Sequence, residues 1–158
     1  RRRHVITSSA LGVELGGPFQ RGRGGPGGWW ILDEPELHFS NPASPSGLDV
    51  VVPDLVGWRR ERMPQVPRAP YFTLAPDWIC EVLSPSTEAE DREEKMRLYA
   101  REGVRWAWLV DPIVRRVEVY GLGEGRRWGA ATVFEGRGCV RAAPFDAIEL
   151  DLSALWVE

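Results

Sequence analysis

Two cysteines in 158 residues are too few for a disulfide framework. Cys80 lies in an apolar run and reads as a small buried hydrophobe, so a reducing cytoplasm is the simplest home. No apolar run approaches ~20 residues, and no membrane span is expected. The opening "RRRHVITSSALGVEL" is basic, yet it lacks the long apolar stretch of a signal peptide. Basic charge is not in excess either. The net charge of −3 gives no overall field for a simple DNA-binding module. A nuclease stays open, because its local site is acidic by necessity. There is no internal repeat and no sign of a second domain. Residues 1–158 are enough for one domain with a real core.

What is present follows an order of helix, several strands, one helix and more strands, which predicts an α/β or α+β fold around one mixed sheet. Val5, Leu11, Val13 and Leu15 recur at roughly helical spacing, and Gly16-Gly17-Pro18 supplies the stop. "RGRGGPGG" (21–28) is a loop. Its glycines invite comparison with a phosphate cradle, but no lysine follows and no strand-then-helix context frames it. "WWILDEPELHF" (29–39) and "LDVVVPDLVGW" (48–58) read as strands, the second closed by Pro53 and Asp54. "APDWICEVLSP" (75–85) is apolar on both faces and should be central. Thr87, with Glu90 three residues on, predicts a capped helix running to about Glu102, ended by Gly103. "VRWAWLVDP" (104–112), "RRVEVYGL" (115–122), "GAATVFEG" (129–136) and "AIELDL" (147–152) complete the sheet, with Leu155-Trp156 over the core.

Glu81 is the anomaly. Strand alternation places Trp78, Cys80 and Val82 on one face and Ile79, Glu81 and Leu83 on the other. Glu81 therefore points into an apolar neighbourhood on either face. A buried carboxylate must be paired, hydrogen-bonded or metal-bound. Three readings compete: a structural ion pair with Arg92 or Arg97, a metal site shared with another carboxylate, or a general base in a cleft. Asp54 weighs towards the second. It ends its strand after Pro53, and on a neighbouring strand it would lie ~5 Å from Glu81 across the ladder. Two close carboxylates need a cation between them, and Mg²⁺ suits an oxygen-ligand site that keeps several waters. Asp77, four residues before Glu81, is ~13 Å away along the strand and marks its entry instead. Lys95 shares a helix face with Asp91 and Tyr99. By itself it reads as half of an exposed Asp91–Lys95 pair. Beside Asp54 and Glu81 it reads as the cation that helps deprotonate a water or steadies developing phosphate charge.

"VVVPDLVGW", "DWICEVLSPST", "DREEKMRLYAREGVRWAWLVDP" and "IELDLSALW" together resemble the Uma-two family of bacterial proteins, within the PD-(D/E)XK, or restriction-endonuclease-like, superfamily. The resemblance covers residues 28–158. It implies a mixed central sheet flanked by helices and a Mg²⁺- or Mn²⁺-dependent site that hydrolyses DNA phosphodiesters. Asp54 and Glu81 would bind the metal with the backbone carbonyl of Val82. The usual motif places lysine two residues after the glutamate, where this chain has Leu83; Lys95, on the following helix, takes that role. Ser84 and Tyr99 would support the pocket. Family members begin with a further helix and strand carrying an acidic residue, whereas this chain starts close to the "H..I" of the next helix, so an upstream segment is expected to be missing. Glu34 and Glu36 are the substitutes for its carboxylate, against the plainer reading of strand-edge solubility. Arg59, Arg60, Arg62 and Arg68, with Trp58 among them, offer a basic rim or simply a solvated loop. The alternative to a nuclease is an inactive protein of the same fold that acts as a structural or regulatory partner. Eight tryptophans suit an oligomer interface, such as a homodimer's, as well as a core. A hydrolase of another phosphorylated substrate is the third reading.

Overall fold

The computed structural model describes residues 2–157. In chain order its elements are α1 (Arg2–Leu15), β1 (Trp29–Asp33), β2 (Leu37–Ser40), β3 (Leu48–Val51), β4 (Leu55–Arg59) and β5 (Trp78–Val82). Then follow α2 (Glu88–Glu90), a π-helical turn over Asp91–Lys95, and α3 (Met96–Arg101). The chain ends with β6 (Trp106–Asp111), β7 (Arg116–Gly121), β8 (Thr132–Glu135), β9 (Cys139–Val140) and β10 (Leu150–Asp151). A six-stranded sheet in the order β1-β4-β5-β6-β7-β8 forms the centre. Its β5–β6 pair is parallel and the others are antiparallel, so the sheet is mixed as expected.

The two faces of that sheet carry separate cores. One unites Trp78, Cys80, Val82 and Trp108 with Leu11 and Leu15 of α1 and with Leu152, Leu155 and Trp156 near the end. The other unites Ile79, Leu83 and Leu109 with Met96 and Tyr99, and with Leu37 and Phe39 of the β2–β3 ribbon. The alternation read from "WICEV" is therefore the alternation observed, and every residue of β5 is buried. Gly57 shows how tightly the strands fit. A Cβ there would stand 3.1 Å from the Trp29 ring and 3.2 Å from the Trp78 ring. All eight tryptophans belong to or pack against these two cores.

Several sequence expectations need correction. The apolar stripe of α1 is not Val5 and Val13, which are exposed, but Thr7, Leu11 and Leu15. Residues 29–39 form two strands rather than one, because the backbone turns at Glu34 (φ 50°) before Pro35. Residues 48–58 likewise split, since Pro53 cannot donate to a ladder. β3 pairs only with β2, outside the main sheet, while β4 lies between β1 and β5. Asp54 thus precedes β4 instead of ending β3. The Thr87 hydroxyl bonds Ser84 at 2.9 Å and caps nothing, so the capping box with Glu90 does not form. Residues 147–152 do not extend the main sheet: β10 pairs with β9 in a separate ribbon. Gly103 does close the helical segment, at φ 78°. Among the described residues no helix is long and apolar enough to cross a membrane.

Candidate functional site

The site starts from strand register. β4 and β5 are antiparallel with Leu55 opposite Cys80, so the next positions outward are Asp54 and Glu81. Asp54 reinforces that register by accepting the Val82 amide on Oδ2 at 2.7 Å. Its Oδ1 lies 3.2 Å from His4 Nε2, at the start of α1. Glu81 points to the opposite face from Cys80, under α3. There its Oε2 accepts the Tyr99 hydroxyl at 2.6 Å and lies 3.4 Å from the Lys95 ammonium. Lys95 also sits 3.0 Å from Asp91 Oδ1. The π-helical turn brings Asp91 and Lys95 together one turn before Tyr99. Such turns recur at functional sites.

The Asp91–Lys95 pair is therefore not the exposed pair of the simpler reading. Asp91 is only 2% exposed and Glu81 likewise. Two buried carboxylates, Glu81 and Asp91, share one ammonium, and Asp54 adds a third negative charge nearby. Burial pushes the Glu81 carboxyl up to about 7; Lys95 and Tyr99 pull it down, and Asp91 and Asp54 push it further up. Burial also raises Asp54, against the Val82 amide and His4. Burial would lower Lys95, but Glu81 and Asp91 hold it above the ordinary lysine value, so it is a permanent cation.

Arg92 does not serve Glu81. It forms a fork on Glu118 of β7, with bonds of 2.9 and 2.7 Å, and a third bond to Glu88. That fork holds Glu118 below the usual carboxylate range. Two strands apart on one sheet, one glutamate is fully neutralised and the other is not. The under-compensated one is the functional candidate.

The remaining expected residues separate cleanly. Ser84 bonds Ser86 and Thr87 and lines a cleft of about 430 Å³ with Arg2, Arg3 and His4. Glu34 and His4 line the neighbouring cleft with Ser84, Ser86 and Thr87. Glu36 is engaged elsewhere, by His38 at 2.6 Å, because the turn at Glu34 redirects the chain into the ribbon. Asp77 is structural: it accepts the Arg59 amide at 2.8 Å and pairs with Arg62 at 3.0 Å. The basic rim needs correction. Arg59 and Arg60 lie over Trp29 and Trp30, Arg60 also bonds the Trp29 and Gln20 carbonyls, and Trp58 is fully buried. Arg59 is moreover at the far end of β4, ~13 Å along the strand from Leu55. His4 is the site residue that sequence reasoning missed, although it continues the 4-7-11-15 stripe of α1; Asp91 was seen as the partner of Lys95, but as an exposed one.

Residues 22–153 match the family model Uma2, described as "Putative restriction endonuclease". The chain belongs to the Uma2 family. No curated protein matches it. Among solved structures, this Uma2 chain is similar to one described as a putative nuclease belonging to DUF820 from Anabaena variabilis ATCC 29413. The likeness has a TM-score of 0.73 at 22% identity and covers 97% of this chain and 79% of the other. At that identity it establishes the fold, which is the nuclease-like one expected.

Among the described residues no three His, Cys, Asp or Glu side chains gather closely enough to hold a metal ion by themselves. The donors at hand are carboxylate and carbonyl oxygens. Mg²⁺ is commonly held by one or two carboxylates, with waters and substrate oxygens completing its shell. The local excess of negative charge and the raised Asp54 and Glu81 carboxyls fit a divalent cation of that kind.

Proposed function

We propose that this chain is a metal-dependent nuclease that hydrolyses DNA phosphodiester bonds. One observation carries the reading: half-buried Asp54 and buried Glu81 stand at neighbouring positions across the β4–β5 ladder, with the Lys95 ammonium 3.4 Å from Glu81, and burial raises both carboxyls. Asp54, Glu81 and the Val82 carbonyl would hold Mg²⁺ or Mn²⁺. When bound, the ion supplies a Lewis acid and lowers the pKa of its water. Tyr99 fixes Glu81 Oε2 through its hydroxyl. Lys95, charged throughout, would stabilise charge as it develops on the phosphate; it does not abstract a proton. Ser84 lines the substrate cleft.

The test is cleavage of supercoiled plasmid. Cleavage is expected with Mg²⁺ or Mn²⁺ and is abolished by EDTA; intact plasmid under both conditions would sink the reading. A scaffold role has one observation in its favour, the Tyr99–Glu81–Lys95–Asp91 network, which is already closed by internal contacts. That alternative requires intact plasmid and no thermal stabilisation by the metal.

The rim for the DNA backbone is Arg2 and Arg3, exposed on the cleft that Ser84 lines, since Arg59, Arg60 and Arg62 are committed internally. Charge reversal at both, Arg2→Glu with Arg3→Glu, is expected to weaken duplex binding tenfold or more, roughly what losing two phosphate contacts entails. Fluorescence anisotropy without metal measures this, with Arg68→Glu as the comparison. Equal weakening by Arg68→Glu would mean that position, not charge alone, has been misassigned.

A further inference from the structure

His4 is placed by a face of α1 that has no freedom to turn. His4, Thr7, Leu11 and Leu15 are spaced 3-4-4, so they line one side of the helix. Leu11 and Leu15 are fully buried in the first core. Thr7, with no exposure at all, donates its hydroxyl to the Leu155 carbonyl at 2.7 Å. These contacts fix both the rotation of α1 and its position along its own axis. The next member of the stripe, His4, is thereby delivered to within 3.2 Å of Asp54 Oδ1. The Val82 amide holds the other oxygen, Oδ2, from the opposite strand. Each oxygen of Asp54 thus has one protein partner and retains capacity for one more.

We propose that His4 is a positioning residue for Asp54: with Val82 it clamps the carboxylate from both sides and presets it for a divalent cation. This rests on the metal-dependent reading above. Carboxylates that bind metals are themselves oriented by hydrogen bonds, and loss of such a partner typically lowers metal affinity by 10- to 100-fold. A tethering role for His4 is unnecessary, because Thr7, Leu11 and Leu15 already anchor α1. His4 also lines both clefts that meet at Ser84 and Pro85, so it stands between Asp54 and the approach of substrate.

The experiment is calorimetric titration of Mn²⁺ into wild-type, His4→Leu and His4→Gln proteins, each also melted thermally. His4→Leu should weaken Mn²⁺ binding roughly 10- to 100-fold with its melting temperature nearly unchanged. His4→Gln should recover most of that loss, because a glutamine amide reaches about as far as Nε2 and donates the same bond. Mn²⁺ affinity in His4→Leu within twofold of wild type overturns the proposal. Loss of a cooperative melt in both variants also overturns it, since His4 would then be a structural tether. The two readings fail separately. Weakened Mn²⁺ binding in His4→Leu of a protein that never cuts DNA keeps the positioning role and removes the nuclease. Unchanged binding in a protein that does cut DNA has the opposite effect. A wild type that takes up no Mn²⁺ overturns both.

Discussion

Glu81→Gln is expected to make the protein more stable at pH 8 and to stop it cutting DNA. The reason is the cost of keeping Glu81 ionised. Its carboxyl titrates near 7 in the folded protein, against 4.5 for the unpaired group. Between those values the folded state binds more protons than the unfolded one, so stability falls as pH rises through that window. Glu81 therefore contributes its full stability below about pH 4.5 and has lost it above about pH 7. The difference amounts to roughly 3 kcal/mol at the upper end. Glutamine never ionises, and its carbonyl can still accept from Tyr99. The variant should melt roughly 6–12 °C higher than wild type at pH 8. The gain should shrink towards zero as the pH is lowered to 4.5.

Metal reverses the comparison. Saturating Mg²⁺ should raise the melting temperature of the wild type, because a ligand that binds only the folded state stabilises it. Glu81→Gln should gain far less. Its cleavage should fall on the order of 10³-fold, since several kcal/mol of charge stabilisation disappear with the ligand. A variant that melts lower than wild type at pH 8, or cuts within tenfold of it, would show that Glu81 is an ordinary structural acid.

The residues that could be read from sequence were those whose neighbours are local or strictly periodic. Period two in "WICEV" placed Glu81 on the correct face, and period four in "DREEKMRLY" placed Asp91, Lys95 and Tyr99 together. Gly103 marked the helix end because only one backbone conformation closes it cheaply. What escaped depended on long-range contacts. Pro53 was visible as a break, but not that the halves on either side would join different sheets. His4 meets Asp54 across fifty residues, and nothing local to either announces it. Burial of Asp91 was hidden for the same reason, since the opposing glutamate comes from β5. The arginines after Trp58 looked free because sequence does not show the two tryptophan rings of β1 beneath them.

Glu118 gives an internal reference for what this fold does with a purely structural acid. Its fork to Arg92 and its bond from Tyr120 make every nearby donor serve the carboxylate, and its acidity is strengthened. Glu81 has the same sheet, the same face and also a tyrosine partner. It differs in sharing one lysine with a second buried acid and facing a third across the ladder. Structural need alone would be met by an arginine fork. On the metal-dependent reading proposed above, the arrangement at Glu81 would leave room for a cation that arrives separately.

Lys95→Met separates structure from chemistry at the same place. It removes the ammonium while keeping much of the buried stem. Asp91 and Glu81 then lose their shared partner, and breaking such a pair typically costs 3–5 kcal/mol when both ends are buried. The lysine side chain is 23% exposed, so a loss of about 3 kcal/mol is expected by urea denaturation at pH 8. At pH 5 the loss should be smaller, because Glu81 is already protonated there. Adding Glu81→Gln should restore the part that belongs to Glu81 and leave the part that belongs to Asp91. Metal binding should move the other way. Taking a positive charge from beside two carboxylates makes them better ligands, so Mg²⁺ affinity in Lys95→Met should hold or increase. Cleavage should nevertheless fall by about 10²–10³-fold, the range seen when a single oriented donor to a developing charge is lost. Tighter metal with slower chemistry is a combination that a merely structural lysine cannot produce. If affinity and cleavage instead decline together, Lys95 holds the site in shape and takes no part in the reaction.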